Sequence, residues 1–212
     1  MLIKENIKKN KMQKIYNLLT GCILGDAHIK SIKGGGKSYI TFEQTINHKD
    51  YVTRIYEILS QSGLGLKEIK YYTRNDKRHN SVNNSIYFRT EATDLLNPLA
   101  DLFLSSDGKK IIKAEIENYL DPVAIAYWIC DDGQLVKRGG ITLCTDSYTL
   151  EEVELLIRIL KNKYNLKCTI HTKKGLSGKE YHRIYIGKKS LYDIKPLLIP
   201  HMHKSFLYKL HE

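Results

Sequence analysis

Two short stretches of this sequence end a run of small and apolar residues on an acid. The first is LTGCILGDA (19–27), with Asp26; the second is IAYWICDDG (125–133), with Asp131 and Asp132. Gly21 and Gly25 stand four apart, as do Ala126 and Cys130, so each pair shares one helical face. Small residues at that spacing let two helix backbones approach closely. Both acids fall at the C-terminal end of their segment, and Gly133 suits the left-handed position that follows a helix. A carboxylate there faces the negative end of the helix macrodipole, and two such ends brought together repel unless a cation intervenes. The chemistry expected is therefore that of a hard divalent cation such as Mg²⁺, which takes oxygen ligands, few carboxylates, waters and substrate phosphate oxygens. The plainer alternative is a pair of core helices whose terminal acids are only exposed or salt-bridged.

The elements that must position these acids recur in order, and an internal repeat constrains the fold more than any single motif. In the first copy, NLLTGCILGDAHI (17–29) reads as a helix and KGGGK (33–37) as a turn. SYITFEQ (38–44) alternates like a strand, and HKDYVTRIYEILSQ (48–61) is a helix ended by Gly63 and Gly65. LKEIKYYTR (66–74) and NSIYFRT (84–90) read as strands, and TDLLNPLADLFL (93–104) as a helix kinked at Pro98. The second copy starts with DPVAIAYWICDDG (121–133), capped by Asp121 with Pro122 in the first turn. It continues with ITLCT (141–145) and with TLEEVELLIRILKNKY (149–164), whose Thr149 and Glu152 form a capping-box pattern. Strands at 167–173 and 182–188 and a helix at 189–199 complete it, with room for one more strand beside the first loop of each copy. The expected fold is α+β: two αββαββα halves (1–104 and 121–212) with a connector at 105–120, motif helices at the interface, and two antiparallel sheets forming a saddle.

Charge points to the partner. Lys and Arg number 34 against 23 Asp and Glu, a net +11, while 42% hydrophobic and 27% charged residues are ordinary for a globular chain. Such an excess suits a polyanion, because a cation set against a phosphate releases counterions. No apolar run approaches the roughly 18–20 residues of a membrane span, and the basic start MLIKENIKKNKMQK has no apolar signal region. Cys22, Cys130, Cys144 and Cys168 are scattered without a C-x-x-C pair, which predicts reduced, mostly buried thiols in an intracellular protein.

The strands carry the recognition surface. Ser85, Tyr87 and Arg89 alternate with Ile86 and Phe88; Lys167, Thr169, His171 and Lys173 with Cys168 and Ile170; Arg183 and Tyr185 with Ile184 and Ile186. With Tyr39 and Gln44 of the first strand and the basic loop residues Lys30, Lys33, Lys37, Arg74, Lys77, Arg78, Lys137 and Arg138, these side chains are expected to reach base edges and phosphates of duplex DNA.

At the two acid-ending segments the sequence resembles the LAGLIDADG homing endonucleases. The eighth position of that family's nine-residue motif, its essential acid, falls on Asp26 and Asp132. The likeness continues through FEQ…HKDYV, ENYLDP and IKPLLIP…YKL, covering most of the chain, and is greatest to the single-chain, two-motif, group I intron-encoded type. It implies a monomer that makes a metal-dependent double-strand break in a long asymmetric site. Each acid would serve one strand, helped by the carbonyl of the residue before it (Gly25 or Asp131), with Mg²⁺ as cofactor and Mn²⁺ or Ca²⁺ as substitutes for binding. It also implies a basic residue near each scissile phosphate: Lys110 in the first half, and in the second Lys209 from the ending LYKL, or Lys204 in the inserted HMHKSF. Lys109 and His28 read as phosphate or solvent contacts, and Trp128 as a core anchor. An intron RNA maturase and a non-cleaving DNA-binding regulator of the same fold are the alternatives. A gene in an AT-rich mitochondrial or chloroplast intron fits the abundance of Lys, Ile, Asn and Tyr.

Overall fold

The computed structural model describes residues 2–32, 34, 36–76, 81–175 and 178–212. Three expected DNA contacts, Lys33, Lys77 and Arg78, lie outside them. The chain forms two compact units. One holds the residues up to Tyr16 together with Asp26–Lys110, the other Asn17–Gly25 with Ile111–Glu212. The first helix, α1 (Leu2–Leu24), thus contributes to both, and its motif segment belongs to the second unit.

The first unit continues with β1 (His28–Ser31), β2 (Ser38–Thr45), α2 (Lys49–Ser60), β3 (Lys70–Asp76), β4 (Ser81–Arg89) and α3 (Asn97–Phe103). Its strands form an antiparallel sheet in the order β1-β2-β4-β3. The second unit has α4 (Pro122–Asp132), β5 (Gly133–Leu135), β6 (Ile141–Leu143), α5 (Leu150–Tyr164), β7 (Cys168–Lys174), β8 (Glu180–Ile186) and α6 (Lys188–Leu198), with the sheet order β5-β6-β8-β7. Both copies therefore read αββαββα, an α+β fold in which each unit backs one four-stranded sheet with helices.

Alternation along the strands explains the layers. In the first unit Ile40, Phe42, Ile86 and Phe88 face inward, where Phe42 and Phe88 stack with centroids 4.6 Å apart and α2 presents Tyr51, Val52, Ile55 and Leu59. In the second, Ile141, Leu143, Ile184 and Ile186 meet the buried stripe of α5, formed by Val153, Leu156, Ile159 and Leu160. Each such side chain contributes roughly 1.5–3 kcal/mol when fully buried. The α4 helix is buried all round from Ala124 to Cys130, and Trp128 is its largest anchor. Its N-terminus is fixed by the Asp121 carboxylate, which accepts from Ala124 N–H at 2.9 Å, with Pro122 in the first turn. The Thr149–Glu152 capping box opens α5.

Several elements differ from expectation. Helix α1 begins at Leu2 and ends at Leu24, so Asp26 sits in a turn and residues 28–31 are the extra strand β1. Pro98 starts α3 after a 3-10 turn instead of kinking a longer helix, since proline tolerates the first turn where its missing N–H is not needed. The stretch 105–120 is structured: it divides at Lys110 between the units and buries Ile112, Ile116 and Leu120, four residues apart. Among the described residues no helix is long and apolar enough to cross a membrane.

Candidate active site

Within the second unit the two motif segments pack backbone to backbone. A Cβ on Gly21 would lie 2.2 Å from the Ala124 carbonyl oxygen, and one on Gly25 2.4 Å from Asp131 Cβ. Asn17 Nδ2 donates to Asp121 Oδ2 at 2.6 Å, so the pairing is pinned at its start as well. The close approach expected of Gly21 and Gly25 is present, but its partners are Ala124 and Asp131. Gly133 departs from the expected left-handed ending: at φ −70°, ψ 128° it leads straight into β5. Glycine is required there for space, because a Cβ would meet the Ile129 carbonyl oxygen at 2.6 Å and Ile141 Cδ1 at 2.8 Å.

Each motif segment ends on a donor supplied from elsewhere in the unit. The buried Tyr148 hydroxyl donates to the Leu24 carbonyl at 2.9 Å, and burial, then the nearby Asp132, pushes its phenol well above the ordinary value. Lys209, 6% exposed, turns its ammonium onto the end of α4, 3.1 Å from the Ile129 carbonyl, 2.5 Å from Cys130 and 3.5 Å from Asp131. A cation at that point offsets the negative helix end. Of the two alternatives for the second basic residue, Lys209 is the one at the motif; Lys204 is exposed at the start of the terminal 3-10 turn. Lys109 pairs with Asp107 at 2.9 Å, and Lys110 is half-buried, bridged by its backbone to Leu104. Replacing Lys209 by methionine strands these carbonyls in the core and should cost about 2 kcal/mol, read as a lower urea midpoint; an unchanged midpoint would contradict the capping role.

Asp26 is exposed in the first unit and accepts from Gln44 Nε2 at 2.6 Å. Gln44 Oε1 in turn lies 3.1 Å from His48 Nδ1. Gln44, expected as a DNA contact, is thus engaged with the acid. Asp26, His28, Lys30, Arg74 and Asn83 line a groove of about 690 Å³ over the sheet. Beside it, Arg89 lies over the Tyr39 ring at 5.1 Å, and Tyr72 hydrogen-bonds the Glu43 carboxylate, which holds the phenol above its usual range. Lys37 is exposed.

On the second sheet His171 stacks on Tyr185 at 4.8 Å, with Lys167, Thr169 and Lys173 exposed beside them. Arg183 is not a free cation. It clasps Asp146 through Nε at 2.6 Å and Nη2 at 2.5 Å, and reaches Gln134 at 3.1 Å. That bond holds the Asp146 carboxyl below the ordinary range. The pair therefore contributes stability above the unfolded-chain value of about 3.9, which is lost as the pH falls from there through the lowered folded value. Wild type should lose more stability than Asp146→Asn between pH 5 and 3, measured by urea unfolding; parallel losses would refute the pairing. Lys137 and Arg138 are exposed along a basic cleft of about 930 Å³ that also includes Lys188 and Tyr192.

Cys22 and Cys130 are buried, Cys144 and Cys168 half-buried, all four unpaired by disulfides. Burial pushes the Cys130 and Cys168 thiols up to about 12, so neither is a nucleophile at neutral pH. Tyr148, Asp146 and His48 are the site residues that sequence reasoning missed. Only Asp146, as an acid two positions past Cys144, offered any signal.

A duplicated αββαββα fold with acids after two glycine- or alanine-packed motif segments, and sheets rich in Arg, Lys, Tyr and His, defines a nucleic-acid-processing class of protein. The model of the LAGLIDADG DNA endonuclease family matches residues 16–194, and the chain belongs to that family. It is 32% identical over 159 residues to the intron-encoded endonuclease ai4 of Dictyostelium discoideum, covering 74% of this chain and 98% of the relative. It is 28% identical over 205 residues to the cytochrome b mRNA maturase bI2 of Debaryomyces hansenii, covering 97% of this chain and 76% of the relative. Among solved structures it is similar to the homing endonuclease I-WcaI bound to its DNA recognition sequence, with a TM-score of 0.81 and 27% identity over 99% of this chain and 92% of that one.

Proposed function

We propose that this endonuclease binds a long asymmetric DNA site as a monomer and breaks both strands with Mg²⁺, Asp26 serving one strand and Asp132 the other. The observation that carries this reading is the motif pairing in the second unit. Gly25 lies against Asp131, and the next residue along each segment is an acid, Asp26 and Asp132. The donor set fits a hard cation. Among the described residues no cluster of three or more His, Cys, Asp or Glu side chains gathers as it would for zinc. Few carboxylates plus backbone carbonyls suit Mg²⁺, which keeps waters and takes phosphate oxygens.

Asp26 and Asp132, with the carbonyls of Gly25 and Asp131, would hold the cation. When bound, it supplies Lewis-acid stabilisation of phosphate charge. The chain's own residues do the rest. Gln44 orients the Asp26 carboxylate, and Lys209 fixes the α4 terminus that presents Asp132. Lys110 and Lys209 are the basic residues assigned to the scissile phosphates. The two sheets supply backbone contacts through Lys30, Lys37, Arg74, Lys137, Arg138, Lys167 and Lys173. Base-edge and stacking contacts come from Tyr39, Arg89, Thr169, His171 and Tyr185, with Arg183 shaping that face through Asp146.

Duplex affinity measured without metal should fall by roughly 10³-fold between 50 and 200 mM salt; salt-insensitive binding would contradict the phosphate-contact surface. Similarity to an mRNA maturase over 97% of the chain favours one second reading, assistance to splicing of a host intron RNA, which an intron self-splicing assay with and without the protein decides. An origin in an AT-rich organellar intron completes the reading.

A further inference from the structure

The groups behind Asp26 are ordered in a way that its role as an acid does not by itself require. Ionised Asp26 can only accept, so the amide group 2.6 Å from its Oδ2 must be the nitrogen of Gln44. That leaves Gln44 Oε1 facing His48 Nδ1 at 3.1 Å, a contact that holds only if Nδ1 carries a proton. Rotating the amide by half a turn would set oxygen against carboxylate and is disfavoured as long as the ring donates.

His48 sits where it can do this. It ends the 3-10 turn Ile46–His48 and is the N-cap residue of α2, yet its side chain makes no capping bond to the helix. The helix behind it is held by the buried Tyr51, Val52, Ile55 and Leu59. At the start of the corresponding helix in the second unit the N-cap is Thr149, whose hydroxyl is used in the capping box. Among the described residues the two acids thus have different supports: a histidine–amide pair behind Asp26, a lysine-capped helix end before Asp132.

We propose that His48 is a positioning residue: it fixes the amide orientation of Gln44, and through it the Asp26 carboxylate, and so sets the cutting rate of one strand only. The inference rests on the reading of Asp26 as a strand-cutting acid. Partners that orient a ligand of this kind change activity by roughly 10–100-fold when removed.

The test uses a supercoiled plasmid carrying a site selected from a randomised duplex library, with each strand end-labelled in parallel. His48→Phe should slow cleavage of one strand by roughly 10–100-fold and accumulate nicked circles, with metal-free DNA binding unchanged. His48→Asn, whose amide can donate in place of Nδ1 and which also suits an N-cap, should restore both strands to within a few-fold. In the metal-free protein, ¹⁵N NMR should show His48 Nδ1 protonated, and Gln44→Ala should shift that resonance. Equal slowing of both strands, or an unprotonated Nδ1, would overturn the proposal. If Asp26→Asn still cuts both strands, the underlying reading fails, and the NMR result separately decides the relay.

Discussion

Asp132→Asn should lose double-strand cleavage by roughly 10³-fold, about 4 kcal/mol of transition-state stabilisation, while metal-free DNA binding stays within a few-fold. The substitution keeps the size of a side chain that is half-buried at the end of α4, so the Lys209 cap on the preceding carbonyls is preserved. What it removes is negative charge, which is what a hard cation needs. Asp26→Asn should behave alike, although its carboxamide can still pair with Gln44. Each single variant should retain nicking of the other strand, because one acid serves each. Strand-resolved single-turnover kinetics reads both effects, and undiminished linear product from either variant would remove that acid from the mechanism.

The second large effect concerns Gly21. In an exposed helix, Gly→Ala gains about 1 kcal/mol from propensity. Here the added methyl would lie 2.2 Å from the Ala124 carbonyl oxygen and 2.9 Å from its carbonyl carbon and Cα. All three are backbone atoms, so no side chain can swing aside, and the two motif segments must separate. Overpacking of this kind costs roughly 3 kcal/mol, more than the propensity gain. Gly21→Ala should therefore lower the urea midpoint and reduce cleavage together, whereas Gly34→Ala or Gly36→Ala, with open space around the added atom, should leave the motif pairing untouched. An unaffected Gly21→Ala protein would mean that the segments do not pack as described.

What the sequence made legible was what is local or periodic. The Thr149–Glu152 capping box and Asp121 with Pro122 rest on residues within one turn, and both are present. Alternation placed Ile86, Phe88, Ile184 and Ile186 in the core and their neighbours on the open face. The short strands β1 and β5 escaped because three or four residues give no period to read. The first half of α1 escaped because its segment KENIKKNKMQK is polar and shows no apolar stripe. Gly133 was assigned a left-handed ending because local rules know only conformation; its real constraint is Ile141, eight residues away on another strand.

The acids themselves were readable because the motif repeats. Their supports were not. Lys209 reaches carbonyls some 80 positions away in sequence, and Tyr148 one 124 away. Arg183, one of many basic residues on an alternating strand, shows its pairing with Asp146 only once β8 lies beside the loop after β6. Such contacts depend on topology, which composition and spacing do not encode.

The most direct measurement of the central claim is incubation of the protein with a randomised duplex library, with and without Mg²⁺, followed by sequencing of the cut ends. A metal-dependent double-strand endonuclease yields one enriched long asymmetric site, cut in both strands at a fixed stagger, and only with the cation present. Enrichment of bound but uncut duplex, or cutting that is unchanged without a divalent cation, would contradict it.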